Sequence, residues 1–467
     1  MEKEKKGGFS SSIGFILSAA GSAVGVGNIW RFPYLAAKDG GGLFIVVYLV
    51  LVLTFGFTLL TTDIAIGRRT QKNALKAFGS IRTGWSFLGK LTFLVPAFIM
   101  TYYSVIGGWV TKYIAVYVTN KGADAAQDGY FTDFITSKAA PVVFMLVFLA
   151  VTAFIVYCGV EKGIEKFSKI IMPGLILMII GISLFSLTLH YTDNNGVTRT
   201  GLDGAVVYLI PNLDGLTLSR FLKILLDAMS QLFFSLSVSM GIMITYGSYV
   251  KKDVNLSSSI SQIEFFDTGV ALLAGLMIIP AVYVFSGTEG MAFGPSLMFV
   301  SLPRVFDSMG KAGTIIGLVF FIMVAFAAIT SCVSIMETLV ANCMELFHAS
   351  RQRTSIMIGI LSAVAAFIIC LGYNVLYFEL PLPNGQTAQL LDLMDYISNS
   401  LLMPFISLLT CIFVGWIIKP KWIVEEMESS GHSFRRKKLY IVMIRYITPI
   451  MMAVLFIQST GLLNILK

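Results

Sequence analysis

Charged side chains are scarce in this chain, and so are the residues that usually carry catalysis or bind transition metals. Only 13% of the 467 residues are Asp, Glu, Lys or Arg, which is about half the share in an average soluble domain. The three histidines, His190, His348 and His432, are not grouped with an acid or a cysteine in the middle of an apolar segment. The five cysteines form no C-x-x-C pair. This pattern predicts neither a zinc site nor a disulfide framework, and it argues against an enzyme.

Apolar side chains are abundant instead. They make up 56% of the chain, and the mean hydropathy is +0.81, a composition typical of a protein that crosses a membrane several times. The net charge of +8 therefore predicts basic cytoplasmic loops and no nucleic-acid partner. The first apolar run is too long for a signal peptide. Eleven apolar runs are long enough to cross a bilayer, with approximate limits 13–37, 43–67, 88–118, 140–158, 168–189, 220–247, 262–286, 312–345, 355–373, 392–418 and 440–463.

Basic residues divide the loops into two classes. The N-terminal tail and the loops after the even-numbered segments hold about 22 of the 34 lysines and arginines, and the opposite loops hold about 7. Loops that are rich in lysine and arginine stay in the cytoplasm. The sequence therefore predicts a multi-pass protein of the cytoplasmic membrane with a cytoplasmic N-terminus. Because the number of segments is odd, we expect the C-terminus to be extracytoplasmic.

The first segment contains a stretch that is poorly suited to a continuous helix. Residues 21–28 read Gly-Ser-Ala-Val-Gly-Val-Gly-Asn, and each glycine costs about 1 kcal/mol relative to alanine in a helix interior. Broken backbone at the middle of a membrane needs a cavity, a ligand or ions to satisfy its polar groups. A glycine-rich packing face between helices is the alternative. The nearby Arg31 favours a functional site, because charges within a membrane usually serve a function.

The sixth segment contains a second candidate interruption. Residues 235–241 read Ser-Leu-Ser-Val-Ser-Met-Gly. Serine can also bond to a carbonyl one turn earlier, so an unbroken helix is the alternative here. Interrupted segments at matching places in two halves indicate inverted repeats around a binding site at mid-membrane. We expect an all-α membrane protein that forms a single transporter domain with unwound helices 1 and 6, repeats over about 10–190 and 219–418, and an eleventh helix over about 440–463.

These stretches and several others resemble one known family. Residues 20–33, AGSAVGVGNIWRFP, are similar to the first helix of the neurotransmitter:sodium symporters, and especially of the bacterial amino-acid transporters among them. The family commonly has twelve helices, and some bacterial members have eleven. The resemblance implies the fold of the bacterial leucine transporter and sodium-driven uptake of an amino acid by alternating access. It continues in order at Gly40-Gly41-Gly42, Tyr102-Tyr103, residues 231–237, residues 246–249, residues 294–297 and Ile329-Thr330-Ser331.

The resemblance also implies how the substrate is held. The positive end of a half-helix suits an anion, so the carboxylate is expected at the N–H groups of Val26 and Gly27 and at the Tyr103 hydroxyl. Ser22 stands where many relatives have asparagine near the amino group. Met240 replaces a typical phenylalanine and, being flexible, favours bulky hydrophobic or aromatic substrates. The implied substrate residues are Ser22, Ala23, Val26, Gly27, Ile99, Tyr103, Phe234, Ser235, Ser237, Met240, Ser331 and Ile335.

Two sodium ions are implied in the same way, and no other cofactor. Sodium is a hard cation that prefers oxygen ligands. Many relatives have asparagine where this chain has Asp267, and they take a negative charge from chloride or from a glutamate whose position is Ala271 here. We therefore expect Asp267 to supply that charge and transport to be independent of chloride; its protonation after ion release would instead link protons to the cycle. The implied ligands are Ala23, Asn28, Ser235 and Asp267 for the first ion, and Gly21, Val24, Ala327, Thr330 and Ser331 for the second.

Gates are expected on both sides of this site. Arg31 and Asp395 would close it towards the outside, with Tyr103 and Phe234 as the lid. On the inside, relatives use an arginine–aspartate pair beside a tryptophan. A lysine–glutamate pair keeps the opposite charges but loses the bidentate geometry of arginine. The matching residues in this chain are Lys6, Glu345 and Phe9.

The sequence thus predicts a sodium-coupled transporter of a neutral hydrophobic amino acid. A sodium-dependent amino-acid sensor with little transport is the main alternative, and concentrative uptake would separate the two. A passive channel and a membrane-embedded enzyme are further alternatives. The expected partners are the amino acid, sodium and the lipid bilayer, and no oligomeric state is indicated. Asp227 and Glu337 are intramembrane acids to which the sequence assigns no role.

Overall fold

The computed structural model describes residues 8–193, 196–287, 290, 295–383, 385 and 387–461, and it is nearly all helical. Within these ranges, nine helices are long and apolar enough to cross a membrane, and one bent pair of helices adds a tenth. The sixth predicted segment also forms helix, but its first helical part, Leu218–Ser235, carries Arg220, Lys223 and Asp227 and is too polar to be counted with them. The all-helical membrane fold is confirmed, and the number of eleven spans stays a prediction.

The helices follow one another in the order of the apolar segments. In the first half they are α1 Ser12–Ala23, α2 Val26–Lys38, α3 Gly42–Leu51, α4 Phe57–Thr70, α5 Ala74–Ile81, α6 Ser86–Val118, α7 Gly122–Ala125, α8 Tyr130–Thr136, α9 Ala140–Tyr157, α10 Lys166–Leu187 and α11 Gly201–Leu209. In the second half they are α12 Leu218–Ser235, α13 Ile242–Gly247, α14 Leu256–Ser286, α15 Leu302–Ser308, α16 Lys311–Phe347, α17 Arg351–Leu371, α18 Leu390–Asp395, α19 Met403–Ile412, α20 Lys421–Glu428, α21 Lys437–Val442 and α22 Thr448–Ser459. Two short antiparallel hairpins join β1 His190–Thr192 to β2 Thr198–Thr200 and β3 Leu380–Pro381 to β4 Thr387–Ala388.

Two spans are interrupted in their middle. Only two residues separate α1 from α2, and the pair bends by 54°. Residues 236–241, between α12 and α13, are not helical. Within them Ser237, Ser239 and Gly241 have φ angles of 53°, 61° and 79°, and positive φ is uncommon for serine. Both predicted interruptions are therefore present, and neither segment is a continuous helix.

Some helices are linked by π-helical turns, which hold one more residue per hydrogen-bonded turn than an α-helix and often mark functional places. One of them, Tyr396–Leu402, begins immediately after Asp395 at the end of α18 and leads into α19. In the described part of the chain the others are Val52–Gly56, Val160–Glu165, Leu297–Ser301, Phe413–Ile417 and Met443–Ile447.

The interrupted helices lie inside the bundle. Helix α1 contacts α10, α14 and α16, helix α2 contacts α12 and α14, and α6 packs along α9 and α16. The peripheral helices expose large apolar side chains such as Phe154 and Leu177, which are 68% and 71% accessible. Such extensive apolar exposure suits contact with lipid. The breaks are therefore enclosed by protein, as broken backbone at membrane depth requires.

Candidate substrate and sodium site

The two interruptions face each other and are joined by hydrogen bonds. The Ser237 hydroxyl donates to the carbonyl oxygen of Ser22 at 3.0 Å, and the Ser22 hydroxyl lies 3.2 Å from that of Ser237. Nearby, between the end of α12 and the first turn of α2, the Ser235 hydroxyl lies 3.1 Å from the side-chain oxygen of Asn28. The ends of four helix segments, with their unpaired backbone groups, thus meet in one place.

A cavity of about 30 Å³ lies between the interruptions. All the predicted substrate residues line it except Val26, whose N–H donates to the Tyr103 hydroxyl at 3.5 Å. Gly25 and Ile242 also line it and were not predicted, although Gly25 belongs to the glycine-rich stretch. The space holds about two water molecules, so a substrate side chain can enter only if neighbouring side chains move. The lining residues are Ser22, Ala23, Gly25, Gly27, Asn28, Ile99, Tyr103, Phe234, Ser235, Ser237, Met240, Ile242, Ser331 and Ile335.

Phe234 separates this cavity from a larger space on the predicted outer side. Its ring lies against the backbone of Gly27, since a methyl group at that glycine would be 2.7 Å from Phe234 Cε1. The Arg31 guanidinium lies 5.9 Å from the centroid of the same ring. Phe234 lines both spaces. Its position is that expected of a lid.

Asp267 has one buried carboxylate oxygen without a donor. The Oδ1 atom accepts hydrogen bonds from Asn28 Nδ2 at 2.8 Å and from the Ser235 hydroxyl at 2.6 Å. The Oδ2 atom has no hydrogen-bond partner among the described residues, and the whole side chain is buried in α14. A buried carboxylate oxygen is costly unless a cation or a donor compensates it. The fourth predicted ligand of the first sodium ion, Ala23, lines the same cavity as Asn28 and Ser235. The oxygen atoms of these four residues therefore suit a cation.

The oxygen groups predicted for the second sodium ion come from α1 and α16. The Ser331 hydroxyl lies 3.4 Å from the carbonyl oxygen of Gly21. Thr330 lies against the same glycine, because a methyl group there would be 3.2 Å from Thr330 Cβ, and its hydroxyl is 3.1 Å from the carbonyl oxygen of Ala327. Val24 follows the last residue of α1, where helical carbonyl groups lose their partners. The oxygen ligands predicted for the second sodium ion therefore approach one another across the α1–α16 contact.

A space of about 680 Å³, which we call the outer vestibule, lies beyond Phe234. Arg31 and Asp395 both line it, but within the described residues the Arg31 guanidinium forms no ion pair at 4.0 Å or less. Arg31 donates instead to the Ser230 hydroxyl at 2.7 Å, and Asp395 accepts from Asn399 at 2.6 Å. The predicted gate residues face one vestibule without touching. Its lining includes Trp30, Arg31, Tyr102, Asp227, Ser230, Phe234, Asp392, Asp395, Asn399 and Ser400.

The predicted inner gate is only partly visible. Lys6 lies outside the described residues. Its expected partner Glu345 accepts a hydrogen bond from the backbone N–H of Asn73 at 3.1 Å. Phe9, at the tryptophan position of the family, packs edge-on against Tyr246 with 5.4 Å between the ring centroids. The pairing of Lys6 with Glu345 stays a prediction.

A buried ion pair on this side was not predicted. Both terminal nitrogens of Arg351 donate to the Glu337 carboxylate, at 2.7 and 2.9 Å, and the Tyr249 hydroxyl donates to it at 2.7 Å. Phe9 contacts the Tyr249 ring with 6.1 Å between centroids. Glu337 is one of the two intramembrane acids without a predicted role, and no motif in the sequence pairs it with Arg351, the first residue of α17. The pair links α16 to the start of α17.

Comparison with known proteins identifies the family to which these features belong. The profile of the Sodium:neurotransmitter symporter family matches residues 6–126 and 131–465. The chain belongs to this family. It is 33% identical over 472 residues to the uncharacterized sodium-dependent transporter YhdH of Bacillus subtilis (strain 168), covering 99% of this chain and 100% of that protein. It is 23% identical over 482 residues to the human sodium- and chloride-dependent GABA transporter 2, covering 91% of this chain and 75% of that protein.

A solved structure resembles the whole chain. The crystal structure of MhsT in complex with L-phenylalanine aligns with a TM-score of 0.83 and 34% identity, covering 97% of this chain and 100% of that one. The resemblance inferred from the motifs is thereby confirmed. The family match, the transporter relatives and the apolar helices together establish a multi-pass membrane protein from a family of sodium-coupled transporters, which are not enzymes.

Proposed function

We propose that this chain is a secondary active transporter that couples sodium entry to the uptake of a neutral hydrophobic amino acid, without a need for chloride. The observation that carries the proposal is the uncompensated Asp267 Oδ2, buried beside Asn28 and Ser235 where two interrupted helices meet. A buried carboxylate in that place needs a nearby cation to compensate its negative charge. The adjoining cavity, with backbone ends on both sides, suits a zwitterion.

Asp267 supports independence from chloride because it brings its own negative charge. Opposite unit charges 4 Å apart attract by about 4 kcal/mol at an effective dielectric constant of 20, whereas an asparagine in that position offers only a dipole. The position from which a glutamate would act, Ala271, is fully buried and apolar. Among the residues named for the first sodium ion, the compensating charge therefore belongs to Asp267.

The substrate carboxylate is proposed to lie at the start of α2. There the N–H of Val26 and the Tyr103 hydroxyl are 3.5 Å apart, and a carboxylate beside both groups would gain two donors and the positive end of the helix. The amino group would lie at the end of α12, near the carbonyls of Phe234 and Ser235. This orientation brings the carboxylate to the first sodium ion, which couples ion to substrate.

The lining of the cavity supports an apolar side chain. Ile99, Met240 and Ile335 contribute hydrocarbon or thioether surface, and Ser237 and Ser331 contribute hydroxyls. None of the residues that line the cavity carries a charge, so none can pair with a charged substrate side chain. Asp267 is not among them and lies behind this lining. The solved relative was crystallised with L-phenylalanine. We therefore propose bulky aliphatic or aromatic amino acids, for which Phe234 and Met240 would have to move.

The transport cycle follows from the two sides of the site. With sodium and substrate bound, Arg31 would leave Ser230 and pair with Asp395, which closes the outer vestibule. On the other side, the Glu337–Arg351 pair and the predicted Lys6–Glu345 contact would have to separate before release. The N-terminus is proposed to be cytoplasmic, in the cytoplasmic membrane, since the basic loops gather on that side.

Two measurements test this proposal. A thermal-shift screen of the twenty amino acids with sodium or potassium should show stabilisation only by hydrophobic members and only with sodium, since a ligand bound to the native state raises its melting point. Uptake of L-phenylalanine into proteoliposomes, driven by sodium gluconate, should then match uptake driven by sodium chloride. Loss of uptake without chloride would contradict the chloride-free mechanism. Sodium-dependent binding without concentrative uptake would favour the sensor.

A further inference from the structure

Helices α2 and α12 run antiparallel and are linked at three levels. Asn28 contacts Ser235 at 3.1 Å, Arg31 donates to Ser230 at 2.7 Å, and Lys38 Nζ lies 2.7 Å from Asp227 Oδ2. Residue numbers rise along α2 while they fall along α12, so the contacts form successive rungs between the same two helix faces. The first rung belongs to the proposed sodium site. The other two lie at the level of the outer vestibule.

The outermost rung is an ion pair between Lys38 and Asp227. Its ammonium group contacts Asp227 and lies 3.9 Å from Asp39 Oδ1, and the side chains of Lys38 and Asp227 are 33% and 22% exposed. Asp227 lines the outer vestibule and precedes Ser230, the present partner of Arg31, by one helical turn. The Asp227 carboxylate therefore lies close to the Ser230 hydroxyl, which accepts the hydrogen bond from Arg31.

Arg31 thus shares one vestibule with two carboxylates, those of Asp395 and Asp227. They are not equivalent for closure. Asp395 ends α18, which packs on α6, so pairing with it would join two separate walls of the vestibule. Asp227 belongs to α12, which is already bonded to α2, so pairing with it would join nothing new. A carboxylate and a guanidinium form strong charge-assisted bonds wherever their geometry permits.

We propose that Lys38 is a positioning residue for the outer gate: by pairing with Asp227 it keeps that carboxylate from capturing Arg31, and it leaves Arg31 available to Asp395. This inference rests on the proposed function, in which Arg31 and Asp395 close the vestibule. It assigns a role to Asp227, an acid of the vestibule wall that the transport cycle does not use. It also makes a specific prediction, because removing the lysine should do more harm than removing both members of the pair.

The test compares three variants in sodium-driven uptake of L-phenylalanine into proteoliposomes. Lys38→Met should lower the maximal rate about tenfold, the effect of a gate contact worth about 1.4 kcal/mol. Asp227→Asn should stay within about threefold of the parent, as expected of a partly exposed pair. Lys38→Met/Asp227→Asn should return to the Asp227→Asn level. A double variant no faster than Lys38→Met, or Asp227→Asn as slow as Lys38→Met, would overturn the proposal.

The matched control is Asp39→Asn, which removes the other carboxylate beside Lys38 and Asp227 but leaves the Lys38–Asp227 pair in place. It should leave the uptake rate within about twofold of the parent, on the scale of exposed charge pairs. A loss equal to that of Lys38→Met would mean that any disturbance of this corner is harmful, and would count against a specific role for Asp227.

A second measurement does not depend on the substrate. In a background with Cys158→Ser, a reporter cysteine Ser400→Cys in the vestibule wall is labelled with a maleimide in sodium buffer. Lys38→Met should be labelled several-fold faster than Lys38→Met/Asp227→Asn, because Arg31 is held away from Asp395; equal rates would overturn the proposal. If the parent shows no sodium-driven uptake but the labelling rates still differ, sodium-coupled transport fails as the function, whereas the closure by Arg31 and Asp395, on which the role of Lys38 rests, is retained.

Discussion

The backbone N–H of Ser239 donates to Asp63 Oδ2 at 2.8 Å, so the continuous helix α4 holds the interruption between α12 and α13. Ser239 has a φ of 61°, and both residues are buried. A loop with positive φ in the middle of a membrane protein needs an acceptor for each freed N–H. Asp63 provides one of them from a neighbouring helix.

Replacing Asp63 with alanine should therefore lower the thermal stability of the protein. A buried N–H without a partner costs about 1–3 kcal/mol. Asp63→Asn keeps an acceptor oxygen and should lose clearly less. Both variants can be compared with the parent by thermal unfolding in detergent. If the alanine and asparagine variants melt together, the hydrogen bond to Ser239 does not stabilise the interruption.

Replacing Asp267 with asparagine should weaken sodium binding and create a need for chloride. The carboxylate that faces the cation is lost, and an anion from solution must take its place. The sodium concentration that gives half of the maximal thermal shift should rise in gluconate by at least about tenfold, the equivalent of about 1.4 kcal/mol of lost binding, and by less in chloride. The control is Asp267→Asn/Ala271→Glu, which restores a carboxylate one helical turn away. Equal sodium titrations of Asp267→Asn in the two salts would contradict the prediction.

Replacing Met240 with phenylalanine should narrow the range of substrates. Met240 lines the cavity and is 4% exposed, and a rigid ring there would occupy space that methionine can vacate. Overpacking costs about 1–3 kcal/mol, which should fall mainly on aromatic ligands. The thermal shift by L-phenylalanine should decline relative to that by L-valine. Unchanged relative shifts would show that residue 240 does not border the substrate side chain.

Breaking the Glu337–Arg351 pair should destabilise the predicted cytoplasmic side. The Glu337 side chain is 0% exposed and that of Arg351 is 19% exposed, and removing one member of a buried pair costs about 3–5 kcal/mol. Glu337→Gln should therefore lower the melting temperature, and Glu337→Gln/Arg351→Gln should recover part of the loss. Glu428→Gln breaks the exposed pair with Lys437 and should cost less than about 1 kcal/mol. Similar losses in Glu337→Gln and Glu428→Gln would contradict the buried role.

The interruptions could be predicted because they break local rules. Glycines and serines in an apolar segment conflict with helix propensity, and Gly21, Gly25 and Gly27 lie within eight residues of one another. The residues around the cavity followed from the family motifs, which lie within or beside those interruptions. Val26 was predicted to bind through its backbone N–H; it is not among the residues that line the cavity, but that N–H donates to the Tyr103 hydroxyl, which does line it.

The long-range pairings could not be predicted. Ser239 and Asp63 are 176 residues apart, and Lys38 and Asp227 are 189 apart. No periodicity within a segment shows which polar groups will meet across helices. The sequence gives the position of each charged residue along the chain but not the conformation of its side chain. The contact of Arg31 with Ser230 is of the same kind. A motif identifies Arg31 and Asp395 as gate residues, but which partner each one holds depends on the conformation.

The π-helical turn that follows Asp395 gives the outer wall a way to move without moving a whole helix. Each residue of an α-helix advances it by about 100° around its axis, so a turn that carries one residue too many sets the helix before it out of phase with the helix after it. If Tyr396–Leu402 relaxed to ordinary helical spacing, α18 would rotate by roughly that angle relative to α19. The Asp395 carboxylate at the end of α18 would then turn about the helix axis relative to the vestibule. Helix α19, on the other side of the π-helical turn, would keep its place in the membrane.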